Sequence, residues 1–91
     1  KEHRVVIHRD NSLSTLVTPL LGDPLEGQLE IIPLSRDSSQ SRDYSRENIV
    51  VPSTFGNSVI FTGINQHWVR PHVGDRISLV TLLYHPAEYL E

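Results

Sequence analysis

Short apolar runs, separated by turn residues, follow one another along most of the chain. β-branched and aromatic residues bounded by Gly, Pro, Asn and Asp are typical of strands joined by tight turns. The runs predict seven strands, at residues 2–8, 12–21, 28–33, 49–51, 59–61, 67–69 and 76–84. With no amphipathic helical pattern and no internal repeat, the sequence predicts an all-β fold, a barrel or a sandwich, in a single domain spanning residues 1–91.

The last predicted strand is apolar on both faces, although one face begins with Arg76 and Ser78. Side chains alternate between the faces of a strand, so this pattern predicts a strand that is covered on both sides. A guanidinium at the end of a buried strand is costly unless an anion pairs with it. The anion is either an internal Asp or Glu or a bound ligand, and the pattern leaves both open.

Two histidines and one aspartate supply candidate metal ligands. His8 and Asp10 are two positions apart and on a strand would point the same way, while His67 opens the sixth predicted strand. Two histidines and a carboxylate with open positions form the facial triad of non-haem Fe(II) oxygenases. Taken singly, each residue is equally compatible with a surface His, a turn Asp or a hydrogen-bonded core His.

His3 and His85 are predicted to be bystanders. His72 is a nearby rival to His67 as a ligand, but Pro71 and the turn that follows predict that His72 lies in a loop. The triplet HRD also occurs in the protein-kinase catalytic loop. Asn11 stands where that motif has Leu, and no glycine-rich loop is present. The kinase interpretation is therefore rejected.

The order His-x-Asp, distant His, Arg-x-Ser resembles that of the 2-oxoglutarate- and Fe(II)-dependent oxygenases. HRDNSLSTLVTPLLGDPLEGQLEI resembles the first metal motif of that family, and VIFTGINQHWVRPHVGDRISLV resembles its second motif and co-substrate strand. The resemblance implies a double-stranded β-helix, the jelly-roll-like barrel also found in cupins. It implies that His8, Asp10 and His67 are the catalytic Fe(II) ligands.

The same resemblance implies that Arg76 and Ser78 bind the distal carboxylate of 2-oxoglutarate. The expected activity is that of a dioxygenase that uses O2 and hydroxylates a C–H bond of a small-molecule or peptide substrate, releasing succinate and CO2. The family's first core strand and its N-terminal helices have no counterpart here. We therefore expect this chain to be part of a longer polypeptide, and to be unstable, oligomeric or inactive alone.

Residues 35–48 are rich in Ser, Arg and Asp and predict a mobile polar loop. Acidic residues interleaved with the arginines argue against an RNA-binding Arg-Ser segment. In the resembling family an insert at this place lies near the active-site mouth. The resemblance therefore implies that Arg42, Tyr44 and Arg46 contact substrate.

Composition narrows the function classes. The net charge is −3, and the arginines are scattered, so no nucleic-acid partner is expected. Cysteine is absent, which excludes disulfides and thiolate chemistry. No apolar run approaches the roughly 18 residues of a membrane span, and no signal peptide is recognised, so a soluble cytoplasmic protein is the default expectation. Two alternatives stay open: a cupin-like or zinc-binding barrel without oxygenase activity, and an inactive structural or interaction module.

Overall fold

Seven strands and no helix make up the part of the chain that the computed structural model describes, residues 3–35, 42–52 and 54–85. The strands are β1 (His3–His8), β2 (Ser14–Leu21), β3 (Leu29–Ile31), β4 (Ile49–Val51), β5 (Val59–Thr62), β6 (His67–His72) and β7 (Ile77–Leu83). The prediction of an all-β protein is confirmed. None of the described segments forms a helix that could cross a membrane.

The strands form two antiparallel sheets, one of four strands in the order β1-β6-β3-β4 and one of three in the order β5-β2-β7. The inward-facing residues Val17, Leu29, Ile31 and Val69 meet between the sheets and form the core. Val17 comes from the smaller sheet, and the other three come from the larger one. The structure is thus two sheets packed face to face around a small apolar core.

Strands β1 and β6 are neighbours, as a site shared by His8 and His67 requires. His8 is the register partner of His67, so residues far apart in sequence lie side by side. The pairing is irregular between Val5 and His8, because a bulge interrupts the ladder. As a result Val5 lines the same cavity as His8. Simple alternation along the strand would place Val6, and not Val5, on the same face as His8, and the bulge changes this.

Two prolines lie inside strands rather than ending them. Pro19 lies in β2 next to a register irregularity, which is one of the exceptions that admit proline to a sheet. β6 continues through Pro71 to His72, so the prediction of a loop at His72 was wrong. The physical reason is that the β3–β6 ladder ends at the pair of Leu29 with Val69. Pro71 therefore removes no hydrogen bond from that ladder.

β7 is exposed on both faces, which contradicts the prediction of a covered strand. Leu79 is 55% exposed and Val80, on the other face, is 54% exposed. The reason is that β7 pairs with β2 on one side and has no strand on its other side among the described residues. An apolar edge of this kind favours self-association.

The chain crosses from one sheet to the other between β1 and β2. Asn11 adopts a positive φ of 57°, a conformation that Asn tolerates better than most residues. Its backbone N–H donates to the Gly63 carbonyl at 2.7 Å. The buried Ser12 then packs so closely on Gly63 that a Cβ there would overlap Ser12 atoms. This close contact fixes the path of the chain immediately after Asp10.

We predict that Gly63→Ala destabilises the protein by about 1–3 kcal/mol, the usual cost of overpacking a tight contact. Gly74→Ala is the matched control, because a Cβ at Gly74 would meet no atom within 4 Å. Urea unfolding of both variants measures the difference. Equal midpoints for the two variants would contradict the close approach of Gly63 to Ser12.

Candidate metal centre

Three predicted ligands, His8, Asp10 and His67, lie together at one end of the sandwich. One ligand atom from each residue lies within 4.8 Å of the others. The β1–β6 register brings the two histidines together, and Asp10 follows β1 in the crossing segment. The Nε2 atom of His8 is 3.2 Å from Asp10 Oδ1, and that of His67 is 3.3 Å from Asp10 Oδ2. The sequence prediction that these residues meet is confirmed.

Backbone carbonyls set the tautomer of both imidazoles. His8 Nδ1 lies 2.8 Å from the Val6 carbonyl oxygen, and His67 Nδ1 lies 3.0 Å from the Asn65 carbonyl oxygen. A carbonyl only accepts, so each Nδ1 carries the proton and donates it. In a neutral ring the Nε2 atom then presents its lone pair to the centre. This is the usual orientation of a metal-binding histidine.

Three electron-rich groups therefore converge, and neither neutral imidazole directs a donor at the carboxylate. Two Nε2 lone pairs and an ionised Asp10 carboxylate repel one another unless a cation lies among them. That cation is either a proton on an imidazole, which makes an ion pair with Asp10, or a metal ion held by all three groups. The donor set of two imidazoles and one carboxylate fits a divalent transition metal.

The two histidines differ in their surroundings. His67 is 5% exposed and packs against the edge of Phe61, with ring centroids 4.7 Å apart. The ring of His8 lies 4.2 Å from that of His67 and is partly open to solvent. His67 is thus the rigid ligand of the pair, and His8 lies on the solvent side.

Arg76 and Ser78 line the same cavity as the three candidate ligands. The cavity has a volume of about 150 Å³ and is otherwise mostly apolar, with Val17, Leu29, Val69 and Val80 among its lining residues. A cavity of about this size holds a small organic molecule. The hydroxyl oxygen of Ser78 is buried and has no hydrogen-bond partner. Such a polar atom is available to form a hydrogen bond with a molecule in the cavity.

The Arg76 guanidinium is partly buried and forms no ion pair with a described carboxylate. Its Nε donates to the Gly27 carbonyl at 3.1 Å. Burial lowers the pKa of the Arg76 guanidinium from its ordinary value, because desolvation disfavours the charged form. Of the two anion sources that the sequence left open, no described internal acid pairs with Arg76.

Gly27 creates the space that Arg76 occupies. A Cβ at Gly27 would lie 2.7 Å from Arg76 Cδ, and the residue has a positive φ of 62°. Glycine is the residue that accepts both conditions without strain. The sequence analysis did not identify Gly27 as part of the site.

The outer face of the four-stranded sheet carries a separate polar network centred on Glu30. Glu30 lies between the inward-facing Leu29 and Ile31, so it points away from the cavity. Arg70 donates to Glu30 at 2.9 Å, and Asn48 donates at 2.8 Å. The Trp68 side chain, with Asn48 and Arg70, lowers the pKa of the Glu30 carboxyl against the opposing effect of burial.

Arg42 belongs to this outer network, since it donates to Asn48 at 2.9 Å. Its guanidinium also lies 5.3 Å from the centroid of the Tyr44 ring, and Tyr44 is 86% exposed. Arg46 is exposed, and its backbone N–H donates to the Asp43 carbonyl in a turn. These contacts do not bring Arg42, Tyr44 or Arg46 to the cavity wall, and their role in substrate binding stays a prediction. Residues 36–41 of the predicted mobile loop 35–48 lie outside the described residues, and the mobility of the loop stays a prediction.

Thr15 is the functional residue that sequence reasoning missed most clearly. It is fully buried and donates its hydroxyl to Asp10 Oδ2 at 2.8 Å. The alternation in β2 places Thr15 on the same inward face as Val17. A hydroxyl on an apolar inward face needs a partner, and this was the signal that could have identified it.

Comparisons of the chain with protein-family models, with curated proteins and with solved structures each found no match. The functional argument therefore rests on the geometry of the site and on the sequence motifs.

We predict that His67→Ala abolishes saturable binding of Mn(II), because it removes the most buried of the three ligands. His72→Ala is the matched control, since His72 lies on the same strand but outside the ligand group. Anaerobic titration followed by electron paramagnetic resonance counts the bound metal, and thermal melting checks that both variants fold. Equal binding by His67→Ala and the wild type would remove His67 from the centre.

Proposed function

We propose that this protein is a 2-oxoglutarate- and Fe(II)-dependent dioxygenase that hydroxylates a C–H bond of an organic substrate. One observation carries the proposal: a triad of two histidines and a carboxylate shares a cavity with an Arg that has no described counter-ion and a Ser without a partner. A metal ion alone would occupy only the triad. The Arg and the Ser favour an anionic co-substrate in addition.

The arrangement of the strands supports a double-stranded β-helix. β1, β3 and β6 lie in one antiparallel sheet and β2, β5 and β7 in the other, so the chain repeatedly crosses between facing sheets. In such a barrel the strand before His-x-Asp is the neighbour of the strand with the distal His, as β1 and β6 are here.

The triad would hold the metal and leave coordination positions open. His8, Asp10 and His67 would supply one ligand atom each, and a set of two histidines and one carboxylate leaves positions for further ligands. Bound Fe(II), together with 2-oxoglutarate and O2, supplies the oxidation of the substrate, with succinate and CO2 as co-products. The two Nδ1 hydrogen bonds to backbone carbonyls keep the imidazoles in the ligating tautomer.

Arg76 and Ser78 would bind the carboxylate of the co-substrate that lies away from the metal. The planar guanidinium can donate two parallel hydrogen bonds to a carboxylate. The Ser78 hydroxyl has its proton free to donate. The cavity is otherwise lined mostly by apolar residues, which lowers the local polarity and so strengthens both electrostatic interactions.

A zinc-binding barrel without oxygenase activity is the alternative, because the same ligands bind Zn2+. That function gives no role to the orphaned Ser78 or to the Arg76 guanidinium. The oxygenase proposal explains both residues, so we prefer it.

A binding experiment tests the proposal without knowledge of the substrate. Under anaerobic conditions, addition of Fe(II) and 2-oxoglutarate should give the visible charge-transfer band of the chelated co-substrate. Succinate release with candidate substrates then tests turnover. A protein that binds Fe(II) but shows no band and no dependence on 2-oxoglutarate would contradict the proposal and leave the zinc-type function.

We predict that Arg76→Lys weakens 2-oxoglutarate binding while metal binding survives. Lysine keeps the charge but loses the planar fork, and one charge-assisted hydrogen bond contributes about 1.5–3 kcal/mol. The dissociation constant should rise roughly 10- to 150-fold.

Arg70→Lys is the matched control, because Arg70 pairs with Glu30 on the outer face of the sheet. Titration of 2-oxoglutarate into the Fe(II) protein, followed by the charge-transfer band, measures all three proteins. An unchanged dissociation constant in Arg76→Lys would exclude Arg76 as the anchor.

A further inference from the structure

We propose that Thr15 is a positioning residue of the metal centre, whose hydroxyl holds the Asp10 carboxylate in its ligating orientation. The inference rests on the proposed function, because it requires that Asp10 bind a metal ion. Thr15 Oγ1 donates to Asp10 Oδ2 at 2.8 Å. Since Thr15 is 0% exposed, water cannot easily replace this donor.

The direction of the hydrogen bonds follows from the available donors. An ionised carboxylate only accepts, so the single hydroxyl proton of Thr15 is committed to Asp10. Ser12 Oγ lies 2.9 Å from Thr15 Oγ1 and is also buried. With the Thr15 proton committed, Ser12 donates to Thr15. The two hydroxyls form a short chain of donors that ends on the carboxylate.

The position of Asp10 explains why its carboxylate needs this support. Asp10 lies in the crossing between β1 and β2, where no strand ladder constrains it. Thr15 reaches it from β2, in the sheet opposite to the two histidines. Among the described residues, Thr15 is the one neutral donor to this carboxylate.

The hydrogen bond also limits how the carboxylate can bind a metal. An ionised carboxylate has about four lone-pair sites, two on each oxygen. Thr15 takes one of those on Oδ2 and fixes the rotation of the group. The remaining sites face His8 and His67, at 3.2 Å and 3.3 Å. A carboxylate held in this orientation would present its free lone-pair sites to a metal ion placed beside the two imidazoles.

Metal affinity is the primary test, because it needs neither substrate nor turnover. Thr15→Val keeps the branched shape and removes the donor. We expect the dissociation constant for Mn(II) to rise about 10- to 100-fold, the usual effect of removing a hydrogen-bond partner of a ligand. Thr15→Ser restores the hydroxyl and should restore nearly wild-type affinity.

The absorption spectrum of bound Co(II) gives a readout that a merely structural role would not change. Release of the Asp10 carboxylate in Thr15→Val alters the number or angle of its metal bonds and so shifts the visible bands. Thr15→Ser should keep the wild-type spectrum. Thermal melting of the metal-free proteins reports separately on folding.

Thr18→Val is the matched control on the same strand. Thr18 lies on the opposite face of β2, and its hydroxyl is 2.6 Å from the Ser58 hydroxyl, away from the metal centre. Its Mn(II) affinity and Co(II) spectrum should equal those of the wild type. Ser12→Ala is measured as well, because it weakens the donor chain while leaving Thr15 in place, and should reduce Mn(II) affinity by less than Thr15→Val.

The outcomes separate the two proposals. Wild-type protein that binds no Mn(II) or Co(II) would overturn the metal centre and this inference with it. Wild-type binding, with unchanged affinity and spectrum in Thr15→Val, would overturn the role of Thr15 alone. Two other variants replace Thr15→Val if it does not fold. The role of Thr15 would then be overturned if Ser12→Ala binds Mn(II) with wild-type affinity and Thr15→Ser binds it weakly.

Discussion

Neutralisation of the Asp10 carboxylate is the electrostatic constraint on which the centre of this molecule depends. Both of its oxygens face imidazole nitrogens, and the backbone carbonyls beyond those rings fix each Nδ1 as the protonated atom. With neutral imidazoles, the two Nε2 atoms and the carboxylate oxygens are acceptors directed at one another, and Thr15 is the described neutral donor to the carboxylate. A proton or a metal ion among these groups would relieve their repulsion, and the burial of His67 makes an uncompensated charge more costly. The rest of the fold can be understood as the means of holding these three groups together.

The fold holds them by joining the two sheets at the point where the ligands meet. His8 ends β1, His67 begins β6, and their pairing sets the separation of the two rings. The chain then turns at Asn11, whose backbone N–H donates to the Gly63 carbonyl, and enters the other sheet. Asp10 lies on this crossing, so its position depends on both sheets at once. A change in sheet packing would for that reason also change the relative positions of His8, Asp10 and His67, which couples the small core to the candidate site.

The local sequence pattern predicted the strands and the group of candidate ligands. It did not predict the features that depend on how the strands pair with one another. Ile49–Val51 was located from its β-branched run, and the two histidines and Asp10 were located from their spacing. The bulge in β1 was not predictable, because it depends on how β1 pairs with β6. The exposure of β7 was not predictable either. Its residues are apolar on both faces, as in a covered strand, but among the described residues β7 has one strand neighbour and both of its faces are exposed.

Charge balance across the cavity connects its two ends. Under the proposed function, a divalent metal ion and the Arg76 guanidinium would together carry three positive charges, and an ionised Asp10 carboxylate would cancel one of them. The remaining two positive charges would favour a ligand with two negative charges, one near each end. A neutral ligand would leave Arg76 without a described counter-ion, and a monoanion would satisfy only one end. A dicarboxylate such as 2-oxoglutarate, bound between the metal and Arg76, would satisfy both. Such a ligand would also give a partner to the Ser78 hydroxyl and a role to the space that Gly27 provides for Arg76.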